Sequence, residues 1–326
     1  MLGKYVTWAL LPEPILRAPD ISFAVRLCSL SIDLDEIRYY AQIHGLAASD
    51  ESHAVYDLAL ARIRSFATDS ALPLTLFVIA QDLEREKNLE TLRRFVGEGH
   101  ELGNHSLDHL YDLTRREPSE QRRQIAQASE RMSALLGVRP AGFRAPGYTV
   151  TDDLLDIVRD CGMSYDSSVF PCPPYYAAKA ARLLSMKMSR HRSHAILDTP
   201  RVLAAPTTPY RVGRPYWSPG SGLLELPIQV AGPLRMPFIG TSLSLLGPNG
   251  ARLLARSLIG SPFVNLELHG IDFLEARDVP QALLPLQPDL RVPFARKLET
   301  FSAVLEVLRK HGYAAVRLDE AARVFA

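Results

Sequence analysis

Leu74-Thr-Leu-Phe-Val-Ile79, then Glu84–Val96, then Glu101-Leu-Gly-Asn104: these three stretches, in this order, decide the fold. The first is apolar without alternation, which predicts a strand buried on both faces, as in a parallel sheet. The second is amphipathic and is stopped by Gly97 and Gly99, which predicts a helix. The third is a short strand. Strand, helix and strand in succession make a βα unit, and the same rhythm recurs outward in both directions. Arg26–Ile32 reads as a strand and Ala54–Phe66 as a helix, with Asp50 or Ser52 as its cap. Pro118–Leu136 is a long helix with Pro at its start and Gly137 past its end. Gly142–Arg144 reads as a strand end, Thr151–Cys161 as a helix capped by Thr151, and Met163–Tyr165 as a short strand. Phe263–Leu268 is another strand, Pro293–Lys310 a closing helix, and Ala315–Leu318 a last strand.

Repeated βα units over 326 residues fit one large α/β barrel. The rhythm fails between Phe170 and Gly250, which holds 12 prolines. That stretch is expected to be largely loop, with one helix near Tyr176–Met186 and one strand near Leu223–Pro227. The expected organisation is a single catalytic domain over 1–326. Residues 1–25 form a lead, 27–170 and 250–324 the barrel, and 171–249 a Pro-rich elaboration over the end that carries the chemistry.

Composition excludes several classes. A 47% hydrophobic content rules out global disorder. Three widely spaced cysteines make neither a disulfide scaffold nor a thiolate zinc site. A net charge of +1 argues against a general nucleic-acid binder. No apolar run reaches the roughly 20 residues that span a bilayer. The apolar start of the chain is broken by Pro12 and Pro14 and lacks a signal-peptide cleavage pattern, so a cytoplasmic location is expected.

Four polar clusters sit where strands end. His105-Ser-Leu-Asp-His109 would place two imidazoles on one face if the segment is helical, a common way to hold a divalent metal. Ser31-Ile-Asp33-Leu-Asp35-Glu36 crowds three acids after the first strand, which is costly unless a cation or a reaction uses them. One of Asp33 and Asp35 could bind metal while the other stays free as a base. Arg144, in Gly142-Phe-Arg144-Ala-Pro146-Gly147-Tyr148, could hold a carboxylate, and Pro-Gly would expose backbone N–H groups. His269 ends a late apolar strand. Together these residues suffice for metal-assisted hydrolysis of an amide, with a base for the attacking water and an acid for the leaving amine.

In these motifs the chain resembles the polysaccharide deacetylases, the NodB homology domain of carbohydrate esterase family 4. Ser31-Ile-Asp33-Leu-Asp35 looks like the family's T-F-D-D motif, with one residue between the two Asp. His105-Ser-Leu-Asp-His109 matches H-[ST]-x-x-[HD], Arg144-Ala-Pro146 matches R-x-P, and Leu266-Glu-Leu-His269 looks like the late L-x-L-x-H motif. Tyr165-Asp-Ser-Ser168 and Leu223-Leu-Glu-Leu-Pro227 look like the branch that handles exopolysaccharide and related cell-surface sugars. The resemblance runs from about Leu27 to Val324. It implies a distorted (β/α)7 barrel with a Pro-rich insertion and a divalent metal, zinc first, with cobalt, nickel or manganese as alternatives. It implies Asp35, His105 and His109 as ligands, Asp33 as general base and Arg144 as its orienting partner. It further implies Gly147 as a backbone donor to the oxyanion and His269 as general acid. The family's D-x-x-W element is not evident, so the carboxylate behind His269 is left between Asp166 and Asp272. His100 is read as structural.

The implied activity is removal of an N-acetyl group from an amino sugar, a cell-surface polysaccharide precursor that carries lipid or phosphate. Alternatives are a deformylase of a lipid-linked formamido sugar, an allantoinase-like amidohydrolase, or an inactive sugar-binding protein. Ser167–Leu224 carries eight basic side chains against Asp198 alone, which suits a phosphate or peripheral contact with an anionic membrane at its inner face. No nucleic-acid or protein partner is expected.

Overall fold

The computed structural model describes residues 26–46, 53–188 and 196–326. The expected lead 1–25, the candidate caps Asp50 and Ser52, and Arg190 and Arg192 of the basic stretch lie outside them. The strands are β1 (Arg26–Asp33), β2 (Leu74–Val78), β3 (Glu101–Asn104), β4 (Gly142–Phe143), β5 (Tyr165–Asp166), β6 (Tyr210–Val212), β7 (Pro219–Glu225), β8 (Val230–Ala231), β9 (Met236–Pro237), β10 (Phe263–His269) and β11 (Tyr313–Ala315). The helices are α1 (Ile37–His44), α2 (Leu60–Ser70), α3 (Glu86–Gly97), α4 (Pro118–Leu136), α5 (Asp152–Asp160), α6 (Pro173–Met188), α7 (Gly240–Arg256), α8 (Phe294–Lys310) and α9 (Leu318–Phe325).

The main sheet runs β10-β1-β2-β3-β4-β5-β7-β6, parallel throughout except for β6 at the edge, and β11 pairs with the start of β1. Seven parallel strands curl towards a barrel, as the resemblance implies. The two ends meet through few bonds rather than a ladder. Gln229 N–H donates to Asn265 O at 3.1 Å, and the Asn265 amide donates to Leu226 O and Pro227 O, both at 3.2 Å. The lining strands are buried on both faces because helices cover one side and the barrel interior the other: every residue of β2 is buried, as is β1 beyond Arg26.

Residues 171–249 are not the mostly irregular elaboration expected. α6 and β7 are longer than the expected helix and strand, β7 joins the main sheet beside β5, and α7 begins at Gly240. Gly247-Pro248, which reads as a stop, instead marks a kink inside α7: Gly247 takes φ 67°, and Pro248 restarts the helix, where its missing N–H costs nothing. Likewise the strand expected over Ala315–Leu318 is β11 two residues earlier, and Leu318 opens α9.

Candidate active site

Strand register assembles the site. β1 and β10 pair so that Asp33 lies beside His269, and β3 and β4 pair at Asn104 and Phe143, which delivers His105 beside Arg144. All of these residues stand at C-terminal strand ends, where a βα barrel gathers its chemistry.

Asp35 Oδ1 lies 3.2 Å from His105 Nε2 and 3.3 Å from His109 Nε2, and the two Nε2 atoms are 3.2 Å apart. The convergence is not helical. His105–His109 is a turn in which Ser106 (φ 67°) and His109 (φ 53°) take the left-handed conformation. Such φ values cost energy for a side-chain-bearing residue and persist only where neighbours hold them. Here Asn104 Oδ1 accepts from Ser106 N–H at 2.8 Å, and Ser106 Oγ accepts from His109 N–H at 3.0 Å.

The donor set fits a divalent cation. His105 Nδ1 sits 2.7 Å from Arg144 O, a carbonyl that can only accept, so the ring proton is on Nδ1 and Nε2 presents a lone pair. Asp35 Oδ1, facing both rings, is buried with no hydrogen bond. Burial opposes the Asp35 charge, yet His109 and His105 hold the carboxyl well below its usual range. Burial also opposes charge on the rings. It leaves His109 lowered, whereas Asp33 and Asp35 raise His105. One carboxylate and two imidazoles at this spacing could together hold a divalent cation.

Asp33 stands apart from that set. Its Oδ1 accepts from Arg144 Nη1 at 2.6 Å, while its Oδ2 has no hydrogen bond and lies 3.9 Å from His269 Nε2. Arg144 is wholly buried, stacks 4.2 Å over the Phe77 ring, and donates further to Ser31 Oγ, Ser167 Oγ and Ser167 O at 2.8–2.9 Å. A guanidinium so fully engaged fixes the carboxylate it holds.

The carboxylate behind His269 is neither expected candidate. Glu267 Oε1 lies 2.9 Å from His269 Nδ1. Burial opposes charge on the His269 ring, but Glu267 and then Asp33 raise its pKa well above the usual value. Asp166 turns away: its oxygens accept from Ser168 Oγ at 2.8 Å and Ser168 N–H at 2.9 Å. Asp272 accepts from the His269 backbone N–H at 2.7 Å and so holds the main chain, not the ring. It also takes the place that a Cβ on Gly240 would fill, 2.0 Å from Asp272 Oδ2, so only glycine lets α7 start there. Glu267 was legible: strand alternation puts residues 267 and 269 on one face of β10. His100 Nδ1 accepts from Leu74 N–H, a structural role as expected.

These groups floor a cavity of about 350 Å³ walled by Tyr40, Tyr111, Tyr148, Tyr175, Pro237 and Ile239. Gly147 lines it with φ 64°, and a Cβ there would come 3.1 Å from the Tyr111 ring. Tyr148 Oη is 3.2 Å from His269 Nε2. The lining contains no lysine or arginine.

Residues 61–165 match the polysaccharide deacetylase family model. That span includes His105, His109 and Arg144 but not Asp33, Asp35 or His269. Over 98 residues the chain is 36% identical to a chitooligosaccharide deacetylase of Bradyrhizobium sp. (strain ANU 289), covering 30% of this chain and 43% of that protein. The chain thus matches less than half the length of that relative. A solved structure assigned as a polysaccharide deacetylase from Mycobacterium smegmatis superposes with a TM-score of 0.55 at 14% identity, covering 99% of this chain and 94% of that one. The chain is related to the polysaccharide deacetylases and shares their fold.

Proposed function

We propose that the chain is a metal-dependent amide hydrolase that removes the N-acetyl group of an amino-sugar substrate. One observation carries the reading: three buried donors converge within 3.3 Å beside a second carboxylate, Asp33, that is held on one oxygen and bare on the other. A divalent cation, zinc first, held by Asp35, His105 and His109, supplies Lewis-acid activation of water and carbonyl. Asp33 Oδ2 takes the proton from the attacking water, and Arg144 keeps that oxygen aimed. His269 Nε2, charged through Glu267 on Nδ1, hands its proton to the departing amine. The Gly147 N–H contributes a backbone donor for the developing oxyanion.

The substrate class rests on the chitooligosaccharide deacetylase relative and on the lining. Tyrosine faces suit a sugar ring, and a lining without lysine or arginine suits an uncharged residue. Any phosphate on the substrate therefore stays outside the cavity.

The test measures bound metal in the purified chain and amine release from N-acetylglucosamine oligomers and from a lipid-linked amino sugar. Zinc or cobalt is expected to support release. Asp33→Asn is expected to keep the metal and lose at least about 10²–10⁴-fold in turnover. A chain that binds no metal and gains nothing from zinc or cobalt overturns the proposal. An active Asp33→Asn enzyme overturns the role of Asp33.

A further inference from the structure

Residues 167–266 carry 11 lysines and arginines but only two acids, Asp198 and Glu225, and both acids are buried. Nine of the 11 large apolar side chains exposed among the described residues fall in the same stretch. Exposed leucines and an excess of basic charge thus coincide on one third of the chain, in which Arg214 pairs with Asp153 and Asp156 and Arg252 with Glu306.

Three elements that line the cavity also carry several of these exposed side chains. α6 lines the cavity with Pro174, Tyr175 and Ala178, then exposes Leu184 (60%), Lys187 and Met188 (78%). The β8–β9 hairpin lines it with Pro237, packs against α6 through β9, and exposes Leu234 (74%) in its turn and Met236 in β9. α7 lines it with Thr241 and Ser242, and one turn on, on the same side, exposes Leu245 (52%) and Leu246 (50%). Neither Arg182 nor Lys187 of α6 has an ion pair among the described residues.

From this we infer that the collar formed by α6, the β8–β9 hairpin and the start of α7 is a docking surface for an anionic lipid membrane. Basic charge alone would suit any polyanion. Exposed Leu and Met between the charges find their favourable environment in the acyl boundary below a headgroup layer. Charge draws the collar to the leaflet and the apolar side chains hold it there. On the deacetylase reading, on which this consequence rests, the docked cavity opens onto the headgroup region, and its substrate is a sugar borne on a lipid.

The experiment is sedimentation of the full-length chain with vesicles of phosphatidylcholine alone or with one-third phosphatidylglycerol, and a parallel titration with heparin. Binding is expected to the anionic vesicles and to fall with salt. Lys187→Glu combined with Leu245→Asp is expected to weaken it by about tenfold or more. A Leu184→Gln, Met188→Gln chain tests the apolar part without a charge change and is expected to weaken vesicle binding but not heparin binding. Thermal melting confirms that each variant is folded, and turnover of a soluble N-acetylglucosamine oligomer should stay at the parent level. Absent vesicle binding, or binding that all collar variants retain, overturns the inference. Equal loss of heparin and vesicle binding in both variants overturns it in favour of a soluble polyanion. Loss of soluble turnover in the parent chain would instead count against the deacetylase reading, since vesicle binding is read without it.

Discussion

Residues 26–166 and residues 167–266 build opposite halves of one site. The first half supplies Asp33, Asp35, His105, His109 and Arg144, each at or just beyond the end of a short parallel strand and each buried. The second supplies Pro174, Tyr175, Pro237, Thr241 and Ser242 to a wall that Tyr40, Tyr111 and Tyr148 of the first complete, and carries exposed apolar and basic side chains. Charge density follows function. Where chemistry is done, charges are inside and opposed by named partners. Where access is governed, basic side chains outnumber acids 11 to two, and the two acids are buried. The two carboxylates of the second half fit the same division, since neither touches the donor set.

If that division is right, His105→Ala should do the most damage: loss of bound metal, and turnover lower by about 10³-fold or more, read by metal analysis and amine release on the same sample. Retained metal would break the assignment of the first half.

Glu267→Gln comes next. Turnover should drop about 10–100-fold with metal content unchanged. Glu267 raises the His269 pKa, and the acid must be protonated to act. The basic limb of the pH–rate profile should therefore move to lower pH. A limb that stays put would remove Glu267 from the proton path.

Glu225→Gln should do least. Burial first, then neighbouring Asp166, raises the Glu225 pKa well above its usual value, so the folded state favours the protonated acid. A raised acid is fully accommodated below its unfolded pKa and costs stability as pH climbs towards its folded value. The variant should melt within about 3 °C of the parent in mildly acidic buffer and gain on it as pH rises, with turnover unchanged. A turnover loss as large as that of Glu267→Gln would erase the division between the halves.

Much of this was readable from residues in order. The apolar run Leu74–Ile79 reads as a strand buried on both faces in a parallel sheet, and polar clusters after successive strands of such a sheet share one end, because every βα unit returns the chain in the same direction. Asp33, Asp35, His105, His109, Arg144 and His269 were legible on that ground. How the two histidines meet was not: a spacing of four suggests a helix, whereas Asn104 and Ser106 hold a left-handed turn. Glu267 passed unnoticed inside an apolar strand although alternation put it on the face of His269. α7 was hidden because Gly247-Pro248 reads as a break when it is a kink.

The sequence by itself therefore determined the parallel α/β class, the strand-end placement of the reactive groups and the concentration of basic charge after Asp166, since periodicity, caps and composition are local properties. Only the tertiary structure decided that Glu267 rather than Asp166 or Asp272 backs His269, that β7 belongs to the barrel sheet, and that α6 and α7, each with exposed leucines, line one cavity. Those facts depend on strand register and helix packing between segments far apart in the chain, where shifting a strand by one residue sends a side chain to the other face.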